Sequence, residues 1–151
     1  MLTANARSRV TYGATKGGLD HDNAIPVNRT FASFGAVAAA LGVLAGAFGA
    51  HALRARLSPE LMSVYQTAVL YHLIHAVGLL LLGVVAAQTK RVNLIAASGW
   101  LLVAGIVLFS GSLYALVLTQ WRWLGFVTPF GGISFVIAWL TLAVAVIDVT
   151  R

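Results

Sequence analysis

The sequence contains no cysteine, so a disulfide, a thiolate metal ligand and a thiol nucleophile are all excluded. It is also poor in acid, with four Asp and Glu against ten Lys and Arg in 151 residues. Catalytic carboxylate pairs, and the inward Glu and Glu-x-x-His sets of a di-iron bundle, have no source in its apolar stretches. No phosphate loop or nucleophile elbow is present either. These absences lead us to expect a chain that is not an enzyme. Charged residues of any kind make up only 9% while hydrophobic ones reach 60%, and the mean hydropathy is +0.89. That balance excludes an ordinary soluble domain and fits an integral membrane protein.

The positions of the charges define the spans. Arg29, Arg54, Arg56, Glu60, Lys90, Arg91, Arg122, Asp148 and Arg151 bracket long stretches free of acid, lysine and arginine. Four apolar cores fit between them, at about residues 31–50, 68–87, 93–118 and 129–147, each near the roughly 20 residues that cross a bilayer. The expected fold class is thus all-α, a bundle of four transmembrane helices, residues 29–151, behind a polar N-terminal tail, residues 1–28. The net charge of +6 would suggest nucleic acid in a soluble domain. Here the basic residues sit at span ends, where they meet lipid phosphate, so the expected partner is the lipid bilayer and not nucleic acid. Lys16, Arg29, Lys90, Arg91 and Arg151 fall on one side and Arg54, Arg56 and Arg122 on the other, which favours both termini in the cytoplasm. The tail has no apolar segment of a secretory signal; its acid-free residues 1–19 also fit an organellar transit peptide, and with it an organellar membrane.

Small residues line one face of the first span. Ala32, Gly35, Ala39, Gly42, Gly46 and Gly49 recur at spacings of three and four, and Gly42 and Gly46 form a GxxxG pair. A face with so little side chain lets another helix approach closely, either within the chain or in a second copy. Ser58, Pro59 and Glu60 then read as N-cap, first helical residue and first-turn carboxylate, so the second helix starts there. Residues 51–67 make an interfacial elbow in which Arg54 and Arg56 are placed to bind lipid phosphate.

Within the second span, Tyr65, Ala68, His72, His75 and Leu79 fall within about 80° of one another on a helical projection, and Tyr71 borders that face. His72 and His75 are the only ionisable histidine, acid or base side chains in the four apolar cores, and such groups ordinarily face the bundle interior. Three roles suit them: hydrogen-bonded structural histidines, a proton or small-solute path in an oligomeric transporter, or axial ligands to haem or chlorophyll. No metal site is expected, because the pair lacks a third strong ligand unless His51 lies at the same depth. Ser110, Ser112, Tyr114 and Thr128, toward the ends of spans three and four, are the candidate hydroxyl partners.

The stretches "GAFGAHAL", "TAVLYHLIHAVGLLLLG", "LFSGSLYAL" and "TPFGG" occur in that order over about residues 31–147. They resemble the motifs of the YgdD-like small integral membrane proteins, domain-of-unknown-function family four-two-three. The resemblance implies four transmembrane helices, usually in a bacterial inner membrane, and no established activity. It rests on Gly46, Gly49, His51, Thr67, Tyr71, His75, Ser110, Gly111, Ser112, Tyr114, Thr128, Pro129, Gly131 and Gly132, and does not extend to the tail. The expected role is a structural or accessory subunit that touches other membrane subunits, or copies of itself, through its small-residue faces or its tail.

Overall fold

The computed structural model describes residues 28–147. Among them every regular element is a helix, and four helical stretches are long and apolar enough to cross a membrane: Arg29–Leu53, Pro59–Gln88, Val92–Thr119 and Arg122–Ile147. Of the polar tail, residues 1–27 lie outside the described residues. Asn28 is the N-cap of α1 (Arg29–Phe48): its Oδ1 accepts from the Phe31 N–H at 3.4 Å, and its own N–H donates to the Gly83 carbonyl at 2.8 Å. One residue thereby starts the first span with its side chain and ties it to the end of the second with its backbone N–H.

Each turn follows from its local residues. α1 ends in a π-helical turn, Gly49–Leu53, where the Arg54 N–H reaches back to the Gly49 carbonyl at 3.1 Å. Ser58 then caps α2 (Pro59–Val85), with its Oγ accepting from the Leu61 N–H at 3.3 Å and Pro59 in the first turn, where its missing N–H has no cost. Within the elbow, therefore, only residues 54–58 leave helical conformation. At about 1.5 Å per residue α2 is roughly 40 Å long, more than the hydrocarbon needs, so its first turns lie in the interface. The third span is one rod in three parts: α3 (Val92–Gly105), a π-helical segment Ile106–Gly111, and α4 (Ser112–Thr119). It stops at Gln120, whose φ of 58° is left-handed, and a 3-10 turn at Arg122–Phe126 leads into α5 (Thr128–Ile147).

α1 packs along α2, and α3 packs along α5; α2 joins the two pairs by also touching the π segment and α4. The main core gathers Phe31, Leu79, Leu82, Ile95, Leu102, Phe135, Ala138 and Ala145, and a smaller cluster of Leu53, Tyr65 and Val117 fills the end near residues 54–58. In lipid the hydrophobic effect gives little reason for helices to associate, so close backbone approach and interhelical hydrogen bonds carry the packing. Both occur. A β-carbon on Gly35 would strike the Leu80 backbone, and one on Gly83 would lie 2.6 Å from the Ala32 nitrogen. Between α3 and α5 the stitches run both ways: Ser98 Oγ donates to the Ala138 carbonyl at 2.9 Å, and Ser134 Oγ to the Leu101 carbonyl at 2.8 Å.

Candidate functional site

His72 and His75 are both buried, at 8% and 5% exposure, on the side of α2 that faces the other spans. Their environments differ. His72 Nδ1 pairs with the Tyr114 hydroxyl of α4 at 3.3 Å, and the Ala38 backbone of α1 lies within reach of the same ring, so this imidazole bridges three spans. Beside it the Tyr65 and Tyr114 rings meet with centroids 5.2 Å apart, and the Tyr65 hydroxyl donates to the Ala45 carbonyl at 2.8 Å. His75 is held within its own helix: Nδ1–H donates to the Tyr71 carbonyl at 2.6 Å. Its ring stacks on Phe135 of α5 with centroids 3.4 Å apart, while Tyr71, at 38% exposure, stacks on Phe109 at 4.4 Å. An aromatic layer thus runs from the π segment through α2 to α5.

Of the four candidate hydroxyl partners, only Tyr114 reaches a histidine. Ser112 and Thr128 pair with each other at 2.9 Å, joining α4 to the start of α5, and Ser112 Oγ also donates to the Phe109 carbonyl at 3.0 Å. Ser110 is fully buried, and its hydroxyl has no hydrogen-bond partner among the described residues. Ser110 belongs to the π segment, whose wider turn shifts its residues off the ideal helical projection. One π-helical stretch falls inside the quoted motif "GAFGAHAL" and the other overlaps "LFSGSLYAL". Single-turn π stretches are common at functional sites.

The small-residue stripe faces α2, yet its members are not equivalent. Gly35 and Gly42 are buried against Leu80 and Leu73, and Gly49 against the Tyr65 ring. Gly46 is looser, its nearest neighbour being Val69 Cγ1 at 3.4 Å from an added β-carbon. The closest backbone approach lies at Gly35, outside the GxxxG pair. Because α2 covers the stripe, that face is not open to other subunits. Gly131 gives span four a matching approach to the Phe109 backbone, and a β-carbon added to Gly132 would lie 3.8 Å from the Phe109 ring. His51, Arg54 and Arg56 are exposed at the end of the bundle near Ser58. Among the described residues no three His, Asp or Glu side chains cluster as a metal requires. Phe135 and Ser134, which enclose the histidine face or stitch α5, lie in no quoted motif, and Phe109 lies in "LFSGSLYAL" without being one of the motif positions singled out; a hydroxyl within span four was the available signal for Ser134.

A lateral groove of about 570 Å³ lies between α1 and the third span, walled by Phe34, Val37, Leu41, Trp100 and Ile106, with His72 at its base. It is almost wholly apolar.

The model of a family described as "Protein of unknown function (DUF423)" matches residues 45–132. The chain belongs to this family. It is 43% identical to the UPF0382 membrane protein YwdK of Bacillus subtilis (strain 168) over 119 residues, covering 79% of this chain and 97% of that protein. It is 48% identical to a UPF0382 membrane protein of Staphylococcus epidermidis (strain ATCC 12228 / FDA PCI 1200) over 118 residues, 78% of this chain and 94% of the relative. The UPF0382 membrane protein SH2409 of Staphylococcus haemolyticus (strain JCSC1435) is 46% identical over the same length, with 78% and 94% covered. No solved structure matches the chain. The family match takes in both histidines, both π-helical stretches and the Gly131–Gly132 pair. This DUF423 chain is a four-span membrane protein with bacterial relatives that are called membrane proteins.

Proposed function

We propose that this DUF423 protein is a non-enzymatic structural or accessory component of a bacterial inner membrane, with both termini in the cytoplasm. One observation carries the reading: the intramembrane histidines are engaged inside the fold, His72 with Tyr114 and His75 with the Tyr71 carbonyl and the Phe135 ring. Polar groups so engaged hold helices in register and leave little for a substrate. Since the small-residue stripe is covered by α2, a membrane partner meets the outer face of α1, where Phe34, Val37, Leu41, Leu44 and Phe48 are exposed. A photo-crosslinking residue at Leu41, activated in native membranes, gives one discrete protein adduct; adducts with lipid alone overturn the accessory role.

A second reading is favoured by the position of His72 at the base of the lateral groove. In that reading His72 and Tyr114 carry protons or a small solute in an oligomer. Purified protein in liposomes, loaded with a pH-sensitive dye under an imposed potential, separates the two. Leakage equal to protein-free liposomes supports the structural role, and a flux that His72→Gln abolishes transfers the conclusion to the second.

A further inference from the structure

The first two spans are not evenly spaced. Near the start of α1 their backbones touch at Gly35 with Leu80 and at Gly83 with Ala32, but toward the other end side chains stand between them, the Tyr65 ring against Gly49 and Val69 loosely against Gly46. The gap is a groove of about 290 Å³ with two kinds of wall. Val69, Leu70 and Leu73 of α2 give it an apolar floor, while Gln66 and Arg54 stand at its mouth, and no acid lines it among the described residues. Arg54 directly follows the π turn at Gly49–Leu53, with its N–H donating to the carbonyl of Gly49, which also lines the groove.

We propose that this groove binds one anionic membrane phospholipid, with the phosphate on Arg54 and the upper part of an acyl chain along Leu70 and Leu73. An arginine at a span end presents an always-charged donor fork that matches a phosphate, and its weakly hydrated head suits the interface. The floor continues from that head into the apolar depth of the bilayer, since Leu70 is exposed on the same helix. Charge complementarity and this continuity specify an amphiphile with a negative head. Arg56, two residues on, is exposed but does not line the groove. Sequence treats the two arginines alike; the groove separates them. The inference rests on membrane embedding and not on the accessory role.

Native mass spectrometry of the detergent-solubilised protein, titrated with phosphatidylglycerol, phosphatidylcholine or inorganic phosphate, tests it. We expect one phosphatidylglycerol to bind in preference to phosphatidylcholine, and Arg54→Gln to weaken that binding roughly five- to ten-fold, as the loss of one interfacial cation should. Arg56→Gln leaves it nearly unchanged. Gly46→Leu fills the groove and removes the bound lipid while the protein still melts cooperatively; Leu70→Trp, at an exposed position, supplies the same arm if Gly46→Leu does not fold. Equal effects of the two arginine variants, retention of lipid in a filled groove, or inorganic phosphate binding as tightly as phosphatidylglycerol each overturn the proposal.

Discussion

Gly35 meets Leu80 backbone to backbone, with the α-carbon of Leu80 only 2.7 Å from where a β-carbon on Gly35 would stand. Gly46, eleven residues on along the same stripe, leaves 3.4 Å to a flexible valine methyl. Gly35→Ala should therefore lower stability in detergent by about 1–3 kcal/mol, the range for overpacking a close contact. Gly46→Ala should be neutral, or stabilise by up to about 1 kcal/mol through helix propensity. Thermal unfolding followed by circular dichroism decides it, and equal losses at the two sites refute the uneven spacing.

Among the described residues, His72 and Tyr114 form the one side-chain hydrogen bond from the histidine face to span three. His72→Leu leaves the half-buried Tyr114 hydroxyl without this partner, at a cost of about 1–2 kcal/mol, whereas His72→Gln keeps a donor or acceptor and most of the stability. The double variant with Tyr114→Phe should lose less than the sum of the single losses. His75 behaves differently, because its partner carbonyl belongs to its own helix and its ring lies on Phe135. His75→Phe should be tolerated better than His72→Leu. Additive losses at His72 and Tyr114 rule out the bond.

Local signals were the ones legible in the sequence. Charge placement set four spans; Ser58 and Pro59 set the start of α2; and the 3.6-residue period put His72, His75, Tyr65 and Leu79 on one buried face. What sequence did not reveal depends on how the helices are arranged around one another. The stripe of glycines was visible, but which one touches backbone depends on how α1 diverges from α2. Ser110 lies in the π-helical Ile106–Gly111 segment, whose composition is that of any apolar helix, and Ser112 just after it pairs with Thr128 across to α5. Phe135 became the neighbour of His75 through packing sixty residues away in sequence, which no periodicity encodes.

The Ser110 hydroxyl, buried without a partner among the described residues, is a cost to the fold. Ser110→Ala should then raise stability, by up to about 1 kcal/mol, while Ser98→Ala breaks the bond to the Ala138 carbonyl and should lower it by about 0.5–1 kcal/mol. Opposite shifts in melting temperature are the expected result. A loss at Ser110 as large as that at Ser98 means that the hydroxyl has a partner after all.

Gln120 closes α4 in the left-handed region, at φ 58° and ψ 20°, with its N–H donating to the Leu116 carbonyl at 2.8 Å. A side chain is strained there and glycine is not, although glycine gives up some entropy on folding. Gln120→Gly should stabilise by a net of roughly 0.5–1 kcal/mol. Gln120→Val, with a branched β-carbon, should destabilise, and a melting temperature unmoved by both changes contradicts this backbone geometry.

Orientation follows from the basic residues at the two ends of the bundle. Arg54, Arg56 and Arg122 gather at the end that holds Ser58, while Lys90 and Arg91 lie with the start of α1 and Arg29 at the opposite end. With Lys16 and Arg151 counted on the Arg29 side, the balance is five against three, so the loop at Ser58 should face outward. The absence of cysteine makes the measurement clean: a single cysteine at Ser58 or at Lys90, both exposed, is the only thiol in the protein. A membrane-impermeant maleimide added to intact spheroplasts should label Ser58→Cys at once and Lys90→Cys only after lysis. Removing Lys90 narrows the margin, so the same labelling is repeated with the cysteine at Gln88, where all five basic residues remain. Labelling of the Gln88 and Lys90 variants from outside, with Ser58 protected, reverses the topology and places the Arg54 groove in the cytoplasmic leaflet.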